Sequence, residues 1–345
     1  MILWVAILAI STLLYVLLDG FDLGVGILFA FNRDETDRNR MLSAISPVWD
    51  GNETWLVIAG TVLFGAFPKA FAALLSAFYL PIVLMLGALI LRGVAFEFRH
   101  KTVQYRWVWN FSFAAGSLFA TFAQGAVIGA LVKGMPVVEG RHAGDSWTWL
   151  SPFSCLCGVG LCLGYALLGA AWLIAKTEGV LRKQAYRLLP PLTAAVGVFL
   201  AIAFVYALAL DLRIMGRWLE RPYLLVFPAI GILATHRLIR SILNHDDFQP
   251  FRMVSLIFVA AFATLAVSFW PYMIPFSLAI EDALAPESSL DFMFWPGVIV
   301  LPLICGYTAT VYWMFRGKIR DEVQESFSRS APAVADYSAT YPKNS

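Results

Sequence analysis

The sequence predicts an all-α polytopic membrane protein of nine transmembrane helices. Hydrophobic residues make up 60% of the 345 positions, charged residues only 14%, and the mean hydropathy is +0.73. A soluble chain of this size lies nearer half apolar and a quarter charged. The excess is gathered into runs of about 20 residues, the length at which a helix crosses the hydrocarbon core. The 27 Phe and 12 Trp suit lipid contact and the interfacial belts.

The runs fall near residues 2–31, 47–66, 78–98, 108–132, 152–175, 190–210, 222–243, 253–274 and 292–315. The first lacks a basic lead and a small-residue cleavage site and carries two acids, so it reads as a retained span. Ser46-Pro47 and Ser151-Pro152 each place a hydroxyl before a proline, a helix-start pattern that predicts capped second and fifth spans. Pro271 and Pro275 mark the end of the eighth. The stretch 321–345 is polar and rich in Ser, Ala and Pro, and reads as a frayed cytoplasmic tail after a single membrane domain over 1–320.

Orientation follows from the basic residues. Nineteen of the 25 Lys and Arg fall in the odd-numbered loops and the tail, and six in the even-numbered loops. The positive-inside rule then predicts a periplasmic amino terminus and a cytoplasmic carboxyl terminus. The loop over 276–291 agrees, with Glu281, Asp282, Glu287 and Asp291 and no base. No phosphate loop, dinucleotide fingerprint or nucleophile–base pairing is visible, and a net charge of +2 without a basic patch gives no reason to expect nucleic acid. Cys155, Cys157, Cys162 and Cys305 lie inside apolar runs with no accompanying ligand, so they read as small buried hydrophobes.

Charges inside a bilayer cost several kcal/mol and need a partner or a cavity. Asp19 and Asp22 lie three residues apart, on one helix face, in Asp19-Gly-Phe-Asp-Leu-Gly-Val-Gly26. Glycines at this spacing report close helix packing first, so the acids read as bonded to neighbouring helices before they read as a proton or cation relay. Asp50 and Glu53 repeat the spacing in Trp49-Asp-Gly-Asn-Glu-Thr-Trp55. There, spacing alone favours a well-placed first turn with carboxylates at a helix amino terminus and tryptophans at the interface. Arg92, Glu97 and Arg99 end the third span. Arg92 lies inside the apolar boundary and must meet an acid, with Asp19, Asp22 and Asp50 the candidates. His100 and His245 fall in cytoplasmic loops, His142 in an outer loop and His236 near a span end. None is placed mid-membrane to ligate a haem.

The two acidic motifs together resemble subunit II of cytochrome bd-type quinol oxidases. Leu91-Arg-Gly-Val-Ala-Phe-Glu-Phe-Arg99, Trp270-Pro-Tyr-Met-Ile-Pro275 and Tyr312-Trp-Met-Phe-Arg316 look like that family too. The likeness runs to about residue 320, and Asn52-Glu53-Thr54 resembles the cyanide-insensitive branch. The resemblance implies two four-helix bundles (about 1–132 and 152–274) and a peripheral ninth helix (about 292–316). It implies a bacterial inner-membrane heterodimer with subunit I, often with a small single-span accessory subunit. Subunit I of the family carries two b haems and haem d, or a third b haem, and oxidises quinol while reducing oxygen to water. No cofactor is expected on this chain, although ubiquinone occurs as a structural, lipid-like ligand in some members.

Residue by residue, Asp50 matches the family aspartate at the cytoplasmic mouth of a proton pathway, with Glu53 a second candidate. Trp49, Gly51, Asn52 and Trp55 match its motif neighbours, and Asp19, Asp22, Arg92 and Glu97 match positions with a structural role. Two other readings compete. A secondary transporter predicts paired broken helices in both halves, and the first motif has no counterpart in spans five to eight. A scaffold without proton traffic is distinguished by replacing Asp50.

Overall fold

The computed structural model describes residues 1–99, 101–102, 104–134, 137–138, 141–142, 144–145, 147–209 and 220–319. In lipid every backbone polar group must bond within its own segment, so apolar runs become helices. The chain forms α1 (Ile2–Phe29), α2 (Glu35–Ile45), α3 (Trp49–Ala66), α4 (Pro68–Ala77), α5 (Tyr79–Arg99) and α6 (Arg106–Lys133). It continues with α7 (Pro152–Lys176), α8 (Gly179–Ala209), α9 (Val226–Leu243, after a 3-10 turn at Pro222–Leu225), α10 (Gln249–Phe269), the short α11 (Ile280–Ala283) and α12 (Glu287–Met314). Among the described residues, eight helices are long and apolar enough to cross a membrane alone, and the pair α3–α4, bent by 118°, brings the number to nine where it is counted as one broken span. Two small antiparallel hairpins, Val137–Val138 with Arg141–His142 and Tyr272–Ile274 with Leu278–Ala279, lie in the connections.

Helix α1 is central, packed against α3, α6 and α7. Its second half is buried without interruption from Asp19 to Phe29. The α1–α7 crossing depends on two glycines that face one another. A Cβ on Gly24 would lie 1.8 Å from the Tyr165 carbonyl oxygen, and one on Gly169 would lie 2.5 Å from the Gly24 carbonyl carbon. Only backbone fits between these helices, as small residues at a helix crossing require. Helix α5 runs along α6 and reaches α1 and α3 through side chains. Helix α12 leans on α3, and Leu290 is its one buried residue.

Besides the one-turn α11, two helices lie outside the expected spans. Helix α2, charged and amphipathic, is capped by Asp34, whose side chain accepts from the Asp37 amide at 2.9 Å. It was hidden because its apolar face, Met41, Leu42, Ala44 and Ile45, is only one turn wide. Helix α4 falls between the expected spans 47–66 and 78–98, where Pro68 interrupts the apolar sequence. That proline instead occupies the first turn of a new helix. Ser151 caps α7 as expected, accepting from the Ser154 amide at 3.2 Å. Ser46 does not cap α3: it is the C-cap of α2, with helical backbone angles, and α3 begins after Val48 with no side-chain cap. Helix α8 starts at Gly179, well before residue 190, and contains Pro190 and Pro191. The 321–345 tail, His100 and the side chain of His142 lie outside the described residues.

At one end of the molecule the last residues of the described chain are tied down. Asp247, in the α9–α10 turn, accepts from Arg182 Nε at 2.9 Å and from Lys318 Nζ at 2.8 Å, and the Ile319 amide donates to the Lys176 carbonyl at 2.9 Å. The hydrogen bond from Lys318, followed by that from Arg182, holds the Asp247 carboxyl below the usual carboxylate range.

Candidate functional site: a buried acid–arginine cluster

Three helices supply a cluster of charges inside the bundle. Arg92 on α5 places Nη1 2.9 Å from Asp19 Oδ1 on α1 and Nη2 2.7 Å from Glu53 Oε1 on α3. Asp19 is fully buried and Arg92 is 2% exposed, whereas Glu53 keeps 27% of its side chain accessible. A guanidinium suits this place because its planar fork serves two carboxylates without rearrangement. Asp22, also fully buried, is bonded differently. Asn52 Nδ2 donates to Asp22 Oδ2 at 2.7 Å and to the Leu18 carbonyl at 3.2 Å, while Asn52 Oδ1 accepts from the Tyr312 hydroxyl at 2.9 Å. Asn52 thereby joins α1, α3 and α12 with its whole amide.

The adjacent positions of α3 are sorted by helical phase. Asn52 and Glu53 turn inward and Trp55 is buried, while Asp50 is exposed at the start of the helix. Trp49 packs on Phe96 of α5 with ring centroids 4.9 Å apart, which fixes the first turn against the end of α5. Gly51 lies against Tyr307 of α12, where a Cβ would meet the ring at 3.1 Å. Glu97 is exposed on α5 and stands apart from the cluster.

A second polar node secures α2 beside this site. Buried Arg99 donates to Asn110 Oδ1 at 2.6 Å, to Asn39 Oδ1 at 2.6 Å and to Glu35 Oε2 at 2.7 Å, with the Phe29 ring beneath its guanidinium. Burial works to raise the Glu35 carboxyl. Hydrogen bonds and charge from Arg38 and Arg99 prevail and hold it below its ordinary range.

The structure thus joins Asp19, Asp22, Asn52, Glu53 and Arg92 in one network and leaves Asp50 at its exposed edge. Of the three acids named for Arg92, it selects Asp19. The second partner, Glu53, shares a turn with Asp50, and only the orientation of α3 tells the two apart. The sequence reading missed Tyr15, Gln124 and Tyr165. Gln124 carried a usable signal, since an amide inside an apolar span must find a hydrogen-bond partner. The described histidine side chains, His236 on α9 and His245 after it, are both exposed.

The fold and the site define a polytopic membrane protein that holds a charge network within its helical bundle. The chain belongs to the cytochrome bd terminal oxidase subunit II family, whose model matches residues 1–315. It is 30% identical to cytochrome bd-I ubiquinol oxidase subunit 2 of Escherichia coli (strain K12), over 92% of this chain and 95% of that protein. Cytochrome bd ubiquinol oxidase subunit 2 of Bacillus subtilis (strain 168) is also 30% identical, over 92% and 96% of the two chains. The fold matches a chain of the bd oxidase from Geobacillus thermodenitrificans with a TM-score of 0.72 at 16% identity, covering 91% of this chain and 98% of that one. These relatives are subunits of oxidoreductase complexes.

Proposed function

We propose that this chain is the haem-free subunit II of a bd-type quinol oxidase in a bacterial inner membrane, with its amino terminus periplasmic and its carboxyl terminus cytoplasmic. It assembles with a haem-bearing subunit I and stabilises it. That partner oxidises quinol and reduces oxygen to water, and this chain supplies protons from the cytoplasm. Asp50 collects protons at the exposed start of α3. Glu53, one turn further on, takes them to the buried cluster. Arg92 does not carry the proton. Its fixed charge allows Glu53 and Asp19 to be anions in a medium that penalises them.

The single observation behind the proton role is the graded burial from the first turn of α3 into α1: Asp50 exposed and Glu53 part-exposed on α3, and Asp19 fully buried on α1 beyond Arg92. A relay needs groups that alternate between protonation states, which Asn cannot do although it keeps the shape. In the purified complex Asp50→Asn is expected to lower quinol-dependent oxygen consumption with haem content unchanged, and Asp50→Glu to retain part of the rate. Wild-type turnover by Asp50→Asn across the working pH range would reduce Asp50 to a helix-terminal anchor.

A further inference from the structure

The two aspartates of α1 have the same burial and different company. Asp19 has the Arg92 guanidinium at 2.9 Å. Its Oδ2 has no hydrogen-bond partner among the described residues, and Tyr15 stands one turn earlier on the same helix. Tyr15 ends a chain of buried side chains. The Tyr165 hydroxyl donates to Gln124 Oε1 at 3.1 Å, and Gln124 Nε2 donates to the Tyr15 oxygen at 2.7 Å. Because the Tyr15 oxygen accepts from the amide, its one proton is free to turn toward the open Asp19 Oδ2. The two donors of the chain run in the same direction, from Tyr165 through Gln124 to Tyr15.

Asp22 has no such support. Its one donor is the neutral amide of Asn52, and its Oδ1 has no hydrogen-bond partner among the described residues. The charged and titratable groups facing the pair are few. They are Tyr15 on α1 itself, Glu53 with Asp50 beyond it on α3, Arg92 on α5, Tyr165 on α7 and Tyr312 on α12, while α6 contributes the neutral Gln124. One guanidinium faces three carboxyl groups and already bonds two of them. A third anion without a cation or a second donor is the least supported in a buried site.

We propose that the pair divides its labour: Asp19 remains an anion, held by Arg92 and by the donor chain Tyr165–Gln124–Tyr15, and Asp22 holds the exchangeable proton. The proposal rests on the reading of α3 as a proton entry and names the acid that receives what Glu53 passes inward. The charge balances. A proton leaving Glu53 restores its carboxylate beside Arg92, and the same proton makes Asp22 a neutral acid. Tyr15, Gln124 and Tyr165 are positioning residues that act through Asp19.

Infrared difference spectroscopy of the intact two-subunit complex tests this through the carbonyl stretch of a protonated carboxyl group, which shifts in heavy water. The expected result is a band lost in Asp22→Asn and kept in Asp50→Asn, because it reports where the proton rests and not how fast it arrives. Tyr15→Phe removes the hydroxyl proposed to turn toward Asp19, and Gln124→Leu removes the donor that orients that hydroxyl, neither adding charge. They should add a second band or move the first, which a role confined to packing would not do. A band that survives Asp22→Asn and disappears in Asp19→Asn, or no band from either acid, would overturn the assignment. Neither outcome bears on whether Asp50 supplies protons, which the turnover of Asp50→Asn decides separately.

Discussion

Arg92 bonds Asp19 and Glu53 at the same time, with one guanidinium nitrogen on each carboxylate. The residue therefore ties α5 to both α1 and α3, although α5 packs along its length on α6. Arg92→Leu strands two acids, one of them fully buried. Breaking a buried pair in this way costs about 3–5 kcal/mol. The expected outcome is a lower thermal midpoint of the complex and a lower yield of assembled protein. Arg92→Lys should fall between, since an ammonium keeps the charge and loses the fork. Unchanged thermal stability of Arg92→Leu would contradict the account.

The Arg99 node makes a separate claim about α2. Its three partners lie on α2 and α6, so Arg99→Ala should loosen α2 while the interior cluster persists. Hydrogen bonds to a charged group contribute about 1.5–3 kcal/mol each. Even one such bond's loss is expected to speed amide hydrogen exchange in α2 by roughly ten- to a hundredfold, at about 1.4 kcal/mol per tenfold, and Arg99→Ala removes two, to Asn39 and Glu35. Exchange in α7 should change little, and unaltered exchange in α2 would show that its apolar face alone docks it.

Asp247 predicts a pH effect. Its folded-state pKa is depressed, so its contribution is present above the ordinary carboxylate pKa of about 4 and is lost as the pH falls through the folded value. The group is about a third exposed, so solvent screening keeps the effect on global stability small. The local effect is readable. Asp247→Asn at neutral pH should speed tryptic cleavage after Arg316 and Lys318, and mild acid should do the same to the wild type. Equal cleavage rates in the variant and the wild type at neutral pH would remove the clasp from the account.

The proposed orientation is tested with single cysteines at two exposed positions, Arg33→Cys before α2 and Ser289→Cys in the first turn of α12. A membrane-impermeant reagent added to spheroplasts should label the second and spare the first. Labelling of both from outside would contradict the nine-span topology.

The spans were legible because the bilayer requires length and apolarity together: six of the nine agree with helices to within four residues at both ends, the eighth and ninth are displaced by up to five, and the sixth helix begins eleven residues earlier than expected. What escaped the reading had short-range or three-dimensional causes. Helix α2 was too short and too charged to register as an apolar run, and Ser46-Pro47 resembled a cap while lying at the end of that unrecognised helix. The acids and Arg92 were legible as residues in need of partners. Their pairing was not, because Asp50 and Glu53 share a turn and differ only in the direction that α3 presents to α5. The chain of Tyr15, Gln124 and Tyr165 links residues 109 and 41 positions apart, and no local pattern records such a contact.

Proton supply through α3 is tested most directly by watching protons and electrons in one turnover. The fully reduced complex is mixed with oxygen in a weakly buffered solution containing a pH-sensitive dye, and haem oxidation is followed optically in the same sample. The account predicts that Asp50→Asn, with its full haem content, slows proton uptake from solution and slows the late, proton-requiring phase of haem oxidation by the same factor. Glu53→Gln should slow both again. Proton uptake by Asp50→Asn at the wild-type rate would contradict it.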